Sequence, residues 1–372
     1  MEADYLAQGW KITTKHADAD LFVVRGCSVT GRAQAECERV IEHLRHRYPN
    51  TRIRICGCLK KKSSEHSSVL SQSSVFNPPV TQSVPTRTAR AYLKVQDGCA
   101  GKCTFCIVPR FRGMSKSEEF SALLDRARRF IEAGYHEIVV TGCNLSLYAS
   151  EGKRLPDLVS ALADLDAGCR IRLGSIEPGA CALETVHAMS EHANVCRFLH
   201  LPIQSGANKI LLAMRRPYAV KDVEQVVALA TKLMPSLGLG CDLIAGFPGE
   251  SELDFAATKG LLNRMPFSNA HIFPYSERPG TPAVKFPHQL TRGTRAILAR
   301  ELAGIAAAKR AKFAKSFLGK EVEIVVEDAK TGRGWTGEYL PCEPTSGHYA
   351  RKSRVRFIVT KVMDGLLLGR PR

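Results

Sequence analysis

The sequence predicts an α/β protein centred on an open six-unit βα barrel, with a reduced α/β unit before it and a small β-barrel after it. Three observations carry this reading. From residue 91 to about residue 276, short apolar runs alternate with amphipathic helical patterns, as parallel strands joined by helices require. Ahead of that stretch, residues 20–58 hold two apolar runs separated by one helical pattern. Behind it, residues 322–368 show period-two alternation and a tight-turn signal. A chain of 372 residues also exceeds the comfortable size of a single core. The expected divisions are residues 1–62, a linker at 63–89, a central barrel at 90–315 and a terminal barrel at 316–372.

In the first unit, Asp20-Leu21-Phe22-Val23-Val24-Arg25 reads as a buried strand that delivers Cys27 to the loop at its carboxyl end. Ala33, Cys37, Val40, Ile41 and Leu44 then recur at helical spacing. Pro49-Asn50 ends that helix, and Arg52-Ile53-Arg54-Ile55-Cys56 alternates as a strand before Gly57-Cys58. Two parallel strands joined by a helix bring Cys27 and Cys58 to one edge, where α/β sheets place ligands. Spacing alone suits two ordinary buried thiols equally well. Lys60-Lys61-Lys62 and the Ser-, Gln-, Pro- and Thr-rich residues up to 89 lack apolar periodicity and read as a flexible linker.

The central barrel begins with a strand at 92–95. A helix follows, with Phe120, Leu123, Leu124, Ala127, Phe130 and Ile131 on one face, and it stops at Gly134. Strands are expected at 138–140, 171–173, 198–201, 241–245 and 270–273. Helices are expected at 155–165, from about 183, at 222–233 and at 254–262. Catalytic groups of such barrels gather at the carboxyl ends of the strands. Four motifs stand there: Thr141-Gly142-Cys143-Asn144, Gly174-Ser175-Ile176-Glu177-Pro178, Leu201-Pro202-Ile203-Gln204-Ser205-Gly206 and Gly246-Phe247-Pro248-Gly249-Glu250. The last is expected to expose backbone polar groups, as an adenine edge would require. Beyond the barrel, residues 292–320 carry eight Lys/Arg (Arg292, Arg295, Arg300, Lys309, Arg310, Lys312, Lys315, Lys320) against Glu301 alone. That basic helix suits an RNA backbone, although a plain solvated face is the competing reading. Residues 322–326 and 355–359 alternate as strands, and Asp364-Gly365 makes a tight turn before Leu366.

Chemistry concentrates in Cys99-Ala100-Gly101-Lys102-Cys103-Thr104-Phe105-Cys106. Three soft thiolates from one short loop can hold three irons of a four-iron cubane. A missing fourth ligand leaves one iron open to a substrate or cofactor. The alternatives are a zinc knuckle, which needs a fourth Cys or His close by, and unrelated thiols. The 13 cysteines are odd in number and irregular in spacing, unlike a secreted disulfide framework. Met1-Glu2-Ala3-Asp4-Tyr5 lacks the basic start and apolar core of a signal peptide. No apolar run approaches the length of a spanning helix, so no membrane and a cytoplasmic location are expected. A formal net charge of +17 points to a polyanionic partner, nucleic acid foremost.

The C-x-x-x-C-x-x-C loop, with Phe105 before its last cysteine and Ile107-Val108-Pro109-Arg110-Phe111-Arg112-Gly113 after it, resembles the signature of radical S-adenosylmethionine (SAM) enzymes. In those enzymes the open iron chelates the methionine part of SAM, and an electron from the cluster cleaves it to a 5′-deoxyadenosyl radical. Residues 91–320 look like the methylthiotransferases, which insert a sulfur and a methyl group into a C–H bond. Val95-Gln96-Asp97-Gly98-Cys99, Ile176-Glu177-Pro178, Met214-Arg215-Arg216 and Phe273-Pro274-Tyr275-Ser276-Glu277-Arg278-Pro279-Gly280-Thr281 fit one branch best. So does the Leu201 to Gly206 motif. That branch acts on N6-threonylcarbamoyladenosine beside the anticodon of tRNA. The resemblance implies that Cys99, Cys103 and Cys106 hold the SAM cluster and that Phe105 contacts the adenine through its backbone. It also implies that Gly142, Ser175, Glu177 and Gln204 are neighbours of SAM. Residues 316–372 resemble the OB-like barrel called TRAM, a fold that binds RNA.

Residues 17–58 resemble the family's sulfur-donor domain, whose three cysteines hold a second four-iron cluster. Cys27 matches the second and Cys58 the third; the first belongs to an opening strand that this sequence does not contain. Three explanations stay open: an upstream start, a substitute ligand, or loss of the cluster. Cys37 lies about 10 residues past Cys27, roughly 15 Å along a helix, and reads as a poor substitute. Cys56 is too close to Cys58. The short stretch between Cys58 and Cys99 favours loss, so one cluster and weak or no sulfur insertion are expected of the chain as given. The implied partners are the tRNA anticodon loop and an electron donor of the flavodoxin or ferredoxin type. The implied reaction consumes two SAM molecules. The alternatives are a degenerate tRNA-binding relative that has lost sulfur insertion and a methylthiotransferase for another substrate.

Overall fold

A computed structural model describes residues 5–6, 8–58 and 88–371. The expected linker lies almost wholly outside the described residues, as do Lys60, Lys61 and Lys62. The chain divides into two units. The first comprises the described residues of Met1–Thr86 together with Gly98–Met114 and Ser276–Lys285. Its strands β1 (Leu21–Gly26) and β2 (Arg52–Gly57) are parallel and in register from Leu21↔Arg52 to Gly26↔Gly57. Between them runs α1 (Gly31–Arg47), started by the Thr30 hydroxyl, which accepts from the Ala33 amide at 3.2 Å. Ile41, Leu44 and Ile53 form its buried side. Cys27 and Cys58 therefore leave the same end of two adjacent strands, as the spacing predicted. A short helix, α2 (Val108–Arg112), follows the cysteine loop.

The second unit holds the rest of the described chain. Strands β3 (Ala91–Lys94), β4 (Glu137–Thr141) and β5 (Arg170–Leu173) form one parallel sheet in that order. Strands β6 (Phe198–Gln204), β7 (Gly238–Ala245) and β8 (Asn269–Pro274) form another. Parallel bridges Ile171↔Val195 and Ser175↔His200 join the two into an open six-strand arc. Helices α3 (Phe120–Glu132), α4 (Leu155–Ala163), α5 (Ala180–Glu191), α6 (Val220–Leu233) and α7 (Glu252–Arg264) alternate with the strands. One strand face is apolar and fully buried, with Leu93, Val140, Ile171, Leu199, Leu201, Leu239 and Leu243. The opposite face is largely polar, a point the site depends on.

After α8 (Arg292–Lys315), a closed barrel is built from β9 (Glu321–Asp328), β10 (Arg333–Trp335), β11 (Pro341–Pro344), β12 (Arg354–Met363) and β13 (Leu366–Pro371). Its strand order is β9-β10-β11-β13-β12. Ile324, Val326, Cys342, Phe357, Val359 and Leu367 fill it. Strands β10 and β11 were not expected, being short and interrupted by Gly and Pro. Gly334 is required there, since a Cβ would lie 2.2 Å from the Val325 carbonyl oxygen. The uniformly basic reading of α8 needs correction. Arg295 is buried, stacked 4.9 Å from the Tyr275 ring and bonded to the Tyr275 carbonyl and Gln289. Lys309 donates to the Asn263 carbonyl at 2.8 Å. Lys312, Lys315 and Lys320 remain exposed.

On the polar strand face, Glu137 is fully buried and ionised. Burial opposes its charge, but Arg172, Arg170 and Arg90 outweigh burial and hold its pKa at about 2, below the ordinary 4.5. Arg172 Nε donates to Oε1 at 2.7 Å, Arg170 donates to Oε2, and Arg90 lies 3.6 Å away. The two inner guanidiniums are satisfied in turn by terminal-barrel carbonyls: Glu323 at 2.9 Å, Trp335 at 3.1 Å, Thr336 at 2.8 Å and Gly337 at 3.2 Å. Removing the carboxylate strands buried cations, so Glu137→Gln is expected to cost about 3–5 kcal/mol of stability. Chemical denaturation at neutral pH checks this, and an unchanged midpoint would contradict it. Because the folded pKa is depressed, the wild-type advantage is present above pH 4.5 and fades towards pH 2.

Candidate active site

In the first unit, Cys99, Cys103 and Cys106 are all partly exposed. The Cys99 amide donates to the Gly113 carbonyl at 3.1 Å, closing the base of the loop. The Gly101 amide donates to Cys99 Sγ at 3.3 Å. A Cβ at Gly101 would lie 3.1 Å from Cys99 Sγ and 3.8 Å from Cys103 Sγ. The glycine thus keeps clear the space between two sulfurs. Thr104 is buried, and its carbonyl accepts from the Ala283 amide at 2.9 Å. Arg110 donates to the Pro279 carbonyl at 3.2 Å, so the segment Ser276–Lys285 braces the loop. Phe105 lies partly exposed between the last two cysteines. Three partly exposed thiols on one loop, two of them beside the space that Gly101 leaves free, suit a four-iron cluster with one open iron.

The same unit carries Cys27 and Cys58 at its strand ends. The Cys58 amide donates to the Gly26 carbonyl at 3.0 Å, and Arg112 Nε donates to Cys58 Sγ at 3.2 Å. The distance argument against Cys37 is overturned: its Sγ accepts from the Cys27 amide at 3.4 Å. The chain turns back at Thr30, so α1 brings Cys37 beside the loop that precedes it. Cys56 instead directs its thiol at the Val24 carbonyl, 3.5 Å away, and burial raises its pKa. That makes it a poor thiolate.

In the second unit, several strand ends join in a hydrogen-bonded network. Gln96 is buried, donates to Ser115 Oγ at 2.8 Å, and accepts from the Asn144 amide at 2.9 Å. Gly142 packs on Gln96, where a Cβ would come within 3.0 Å of Oε1. Asn144 donates to Glu177 Oε2 at 2.9 Å, and Arg216 donates to Oε1 at 2.5 Å. Arg216 Nε meets Tyr218 Oη at 2.8 Å, and Tyr218 donates to the Pro202 carbonyl at 2.6 Å. Gly142 and Glu177 are thereby brought into one cluster. Ser175 belongs to another, with Oγ 2.9 Å from His200 Nδ1. Gln204 ends β6 after a register shift, in the left-handed region at φ 65°. Such a backbone is costly and is retained where surrounding structure enforces it. Sequence reasoning gave no role to Gln96, Asn144 or Arg216, although each lies in a quoted motif.

The Gly246 to Glu250 motif departs from expectation. Gly246, Phe247 and Pro248 are buried, and the Gly246 amide is taken by Glu250 Oε2 at 2.6 Å. The backbone polar groups expected to face a ligand are turned inward. Glu250 Oε1 is buried without a hydrogen-bond partner among the described residues. Burial, only partly offset by the Gly246 amide, pushes its pKa up to about 7.

An open parallel barrel whose first strand runs directly into a three-cysteine loop defines a class: enzymes that carry an iron–sulfur cofactor on a partial βα barrel. The Radical SAM superfamily matches residues 93–262, and the Uncharacterized protein family UPF0004 matches residues 1–76. The threonylcarbamoyladenosine tRNA methylthiotransferase MtaB of Chlamydia pneumoniae is 30% identical, over 94% of this chain and 89% of its own length. MtaB of Bacillus subtilis (strain 168) is 29% identical, over 84% of this chain and 77% of its own. The tRNA-2-methylthio-N(6)-dimethylallyladenosine synthase of Chlorobium phaeovibrioides is 31% identical, over 74% and 70%. The chain belongs to the radical SAM methylthiotransferase family. It is a tRNA methylthiotransferase that uses a 4Fe-4S cluster and S-adenosylmethionine. No helix among the described residues is long and apolar enough to cross a membrane.

The raised pKa of Glu250 sets a pH dependence. Its favourable contribution is complete below pH 4.5 and is lost as pH rises through about 7. Glu250→Gln, which mimics the protonated form, is expected to gain up to about 3 kcal/mol relative to wild type across that window. Thermal denaturation of both proteins at several pH values checks this; parallel curves would contradict it.

Proposed function

We propose that this chain installs the methylthio group at C2 of N6-threonylcarbamoyladenosine in the anticodon loop of tRNA. The observation that carries this reading is the polar strand face of the second unit. Lys94 and Thr141 are register partners on it, and His200, Asp242 and His271 lie further along the arc. A threonylcarbamoyl group carries a carboxylate and a hydroxyl, which need polar partners once removed from water. A dimethylallyl group would call for an apolar lining instead. Relatives of both specificities resemble this chain about equally, and the side-chain chemistry of that face is what favours the first.

Cys99, Cys103 and Cys106 are the residues we assign to the SAM cluster, with Gly101 leaving room between sulfurs. When bound, the cluster and SAM supply the one-electron chemistry that activates a C–H bond. The chain's own part is positioning. Gln96 and Asn144 fix the ends of the first two barrel strands, and Arg216 anchors Glu177 so that its remaining lone pairs keep one direction. Gly142, Ser175, Glu177 and Gln204 are our candidates for SAM neighbours, and the Phe105 backbone for its adenine. Cys27 and Cys58, with Arg112 donating to the latter, are the candidates for a second cluster; this reading sets aside the expected loss of that cluster and of sulfur insertion, because Cys37 Sγ lies beside the Cys27 loop as a third thiol. We read residues 316–372 as a TRAM module that grips tRNA with Lys312, Lys315 and Lys320 near its entrance. We also infer a cytoplasmic setting with a flavodoxin- or ferredoxin-type electron donor.

Two anticodon stem-loops, one with threonylcarbamoyladenosine and one with dimethylallyladenosine, test the substrate. The reconstituted protein is expected to form methylthio product from the first alone; product from the second alone would overturn the reading. Replacing Cys99, Cys103 and Cys106 by Ala is expected to abolish 5′-deoxyadenosine formation while tRNA binding persists. Continued 5′-deoxyadenosine formation would remove these residues from the cluster.

A further inference from the structure

We propose that His200, Asp242 and His271 form a binding site for a divalent first-row transition ion of the zinc and iron(II) type, with no cysteine among its ligands. The three residues lie on adjacent strands β6, β7 and β8, with Asp242 directly opposite His271 in register. Their ligand atoms all lie within 4.8 Å of one another. His200 Nε2 is 3.4 Å and His271 Nδ1 3.2 Å from the same oxygen, Asp242 Oδ1. Bonds of about 2.0–2.1 Å in a tetrahedral zinc site put neighbouring ligand atoms roughly 3.3 Å apart, so both edges already have the required length.

The surroundings orient these atoms. His200 is 7% exposed, and its Nε2 is a buried nitrogen without a hydrogen-bond partner among the described residues. Its Nδ1 is held by Ser175 Oγ at 2.9 Å. With Nδ1–H donating to that hydroxyl, Nε2 turns a lone pair towards a carboxylate oxygen, an arrangement that a cation between them stabilises. Gly240 makes room for the ring, since a Cβ there would lie 2.5 Å from His200 Cδ2. His271 has its second nitrogen 3.5 Å from Asn269 Nδ2. Its side chain is 50% exposed, so a small ring rotation closes the remaining gap and leaves coordination positions open to an oxygen ligand. Two imidazoles and one carboxylate are the donor set that selects zinc, iron(II) or manganese over calcium or magnesium.

The test uses cluster-loaded protein, zinc as the probe, and elemental analysis after exhaustive dialysis. Wild type is expected to retain about one zinc per chain, with only nitrogen and oxygen in the first shell by zinc-edge X-ray absorption. Asp242→Asn and His271→Ala are expected to lose that zinc while keeping the wild-type iron content. No retained zinc in wild type, sulfur in its first shell, or equal retention by both variants would each overturn the proposal. Because the readout is metal content, it stands or falls apart from the substrate assignment.

Discussion

The buried carboxylate of Glu137 is the constraint on which the second unit depends. An ionised carboxylate with no exposure to water must be matched by cations, and Arg170, Arg172 and Arg90 provide them. Those cations carry more N–H groups than one carboxylate can satisfy. The surplus donates to four successive or nearby carbonyls of the terminal barrel, at Glu323, Trp335, Thr336 and Gly337. The register of β4 against β5 is thereby locked to the placement of β9 and β10. An aromatic stack reinforces the same seam: Trp335 lies 4.6 Å from Tyr339, and Tyr339 lies 4.7 Å from Phe198, the first residue of β6. Arg172 caps the Tyr339 ring at 5.4 Å. The charge network and the stack together cover the amino-terminal end of the polar strand face.

That division explains why the sequence was legible in some places and opaque in others. The six parallel strands and their helices follow from local patterns, such as the apolar run before Cys99 and the Phe120, Leu123, Ala127, Phe130 face of α3. By contrast, strands at 138–140 and 171–173 are evident, but the burial of Glu137, Arg170 and Arg172 together is not, because the partners of their charges are distant in sequence. Burial of Arg295 is invisible for the same reason: nothing near it in the chain predicts the Tyr275 ring.

The candidate site divides likewise. The cysteine triplet is a local motif and is evident from spacing. The network of Gln96, Asn144, Glu177 and Arg216 exists only once four strand ends converge, and single motifs do not reveal which side chains hold one another. The Cys37 reading failed because it measured distance along a helix and ignored the turn that folds the helix back on its own approach. Glu250 failed differently: glycines beside it suggested exposed backbone, but the carboxylate draws the Gly246 amide inward.

We propose that this polar-faced barrel serves threonylcarbamoyladenosine. Nucleoside mass spectrometry of total tRNA, from cells with and without the gene, tests it most directly. Deletion is expected to remove 2-methylthio-N6-threonylcarbamoyladenosine and leave its N6-threonylcarbamoyl precursor to accumulate. Loss of the methylthio group from dimethylallyladenosine instead, or an unchanged nucleoside profile, would contradict it.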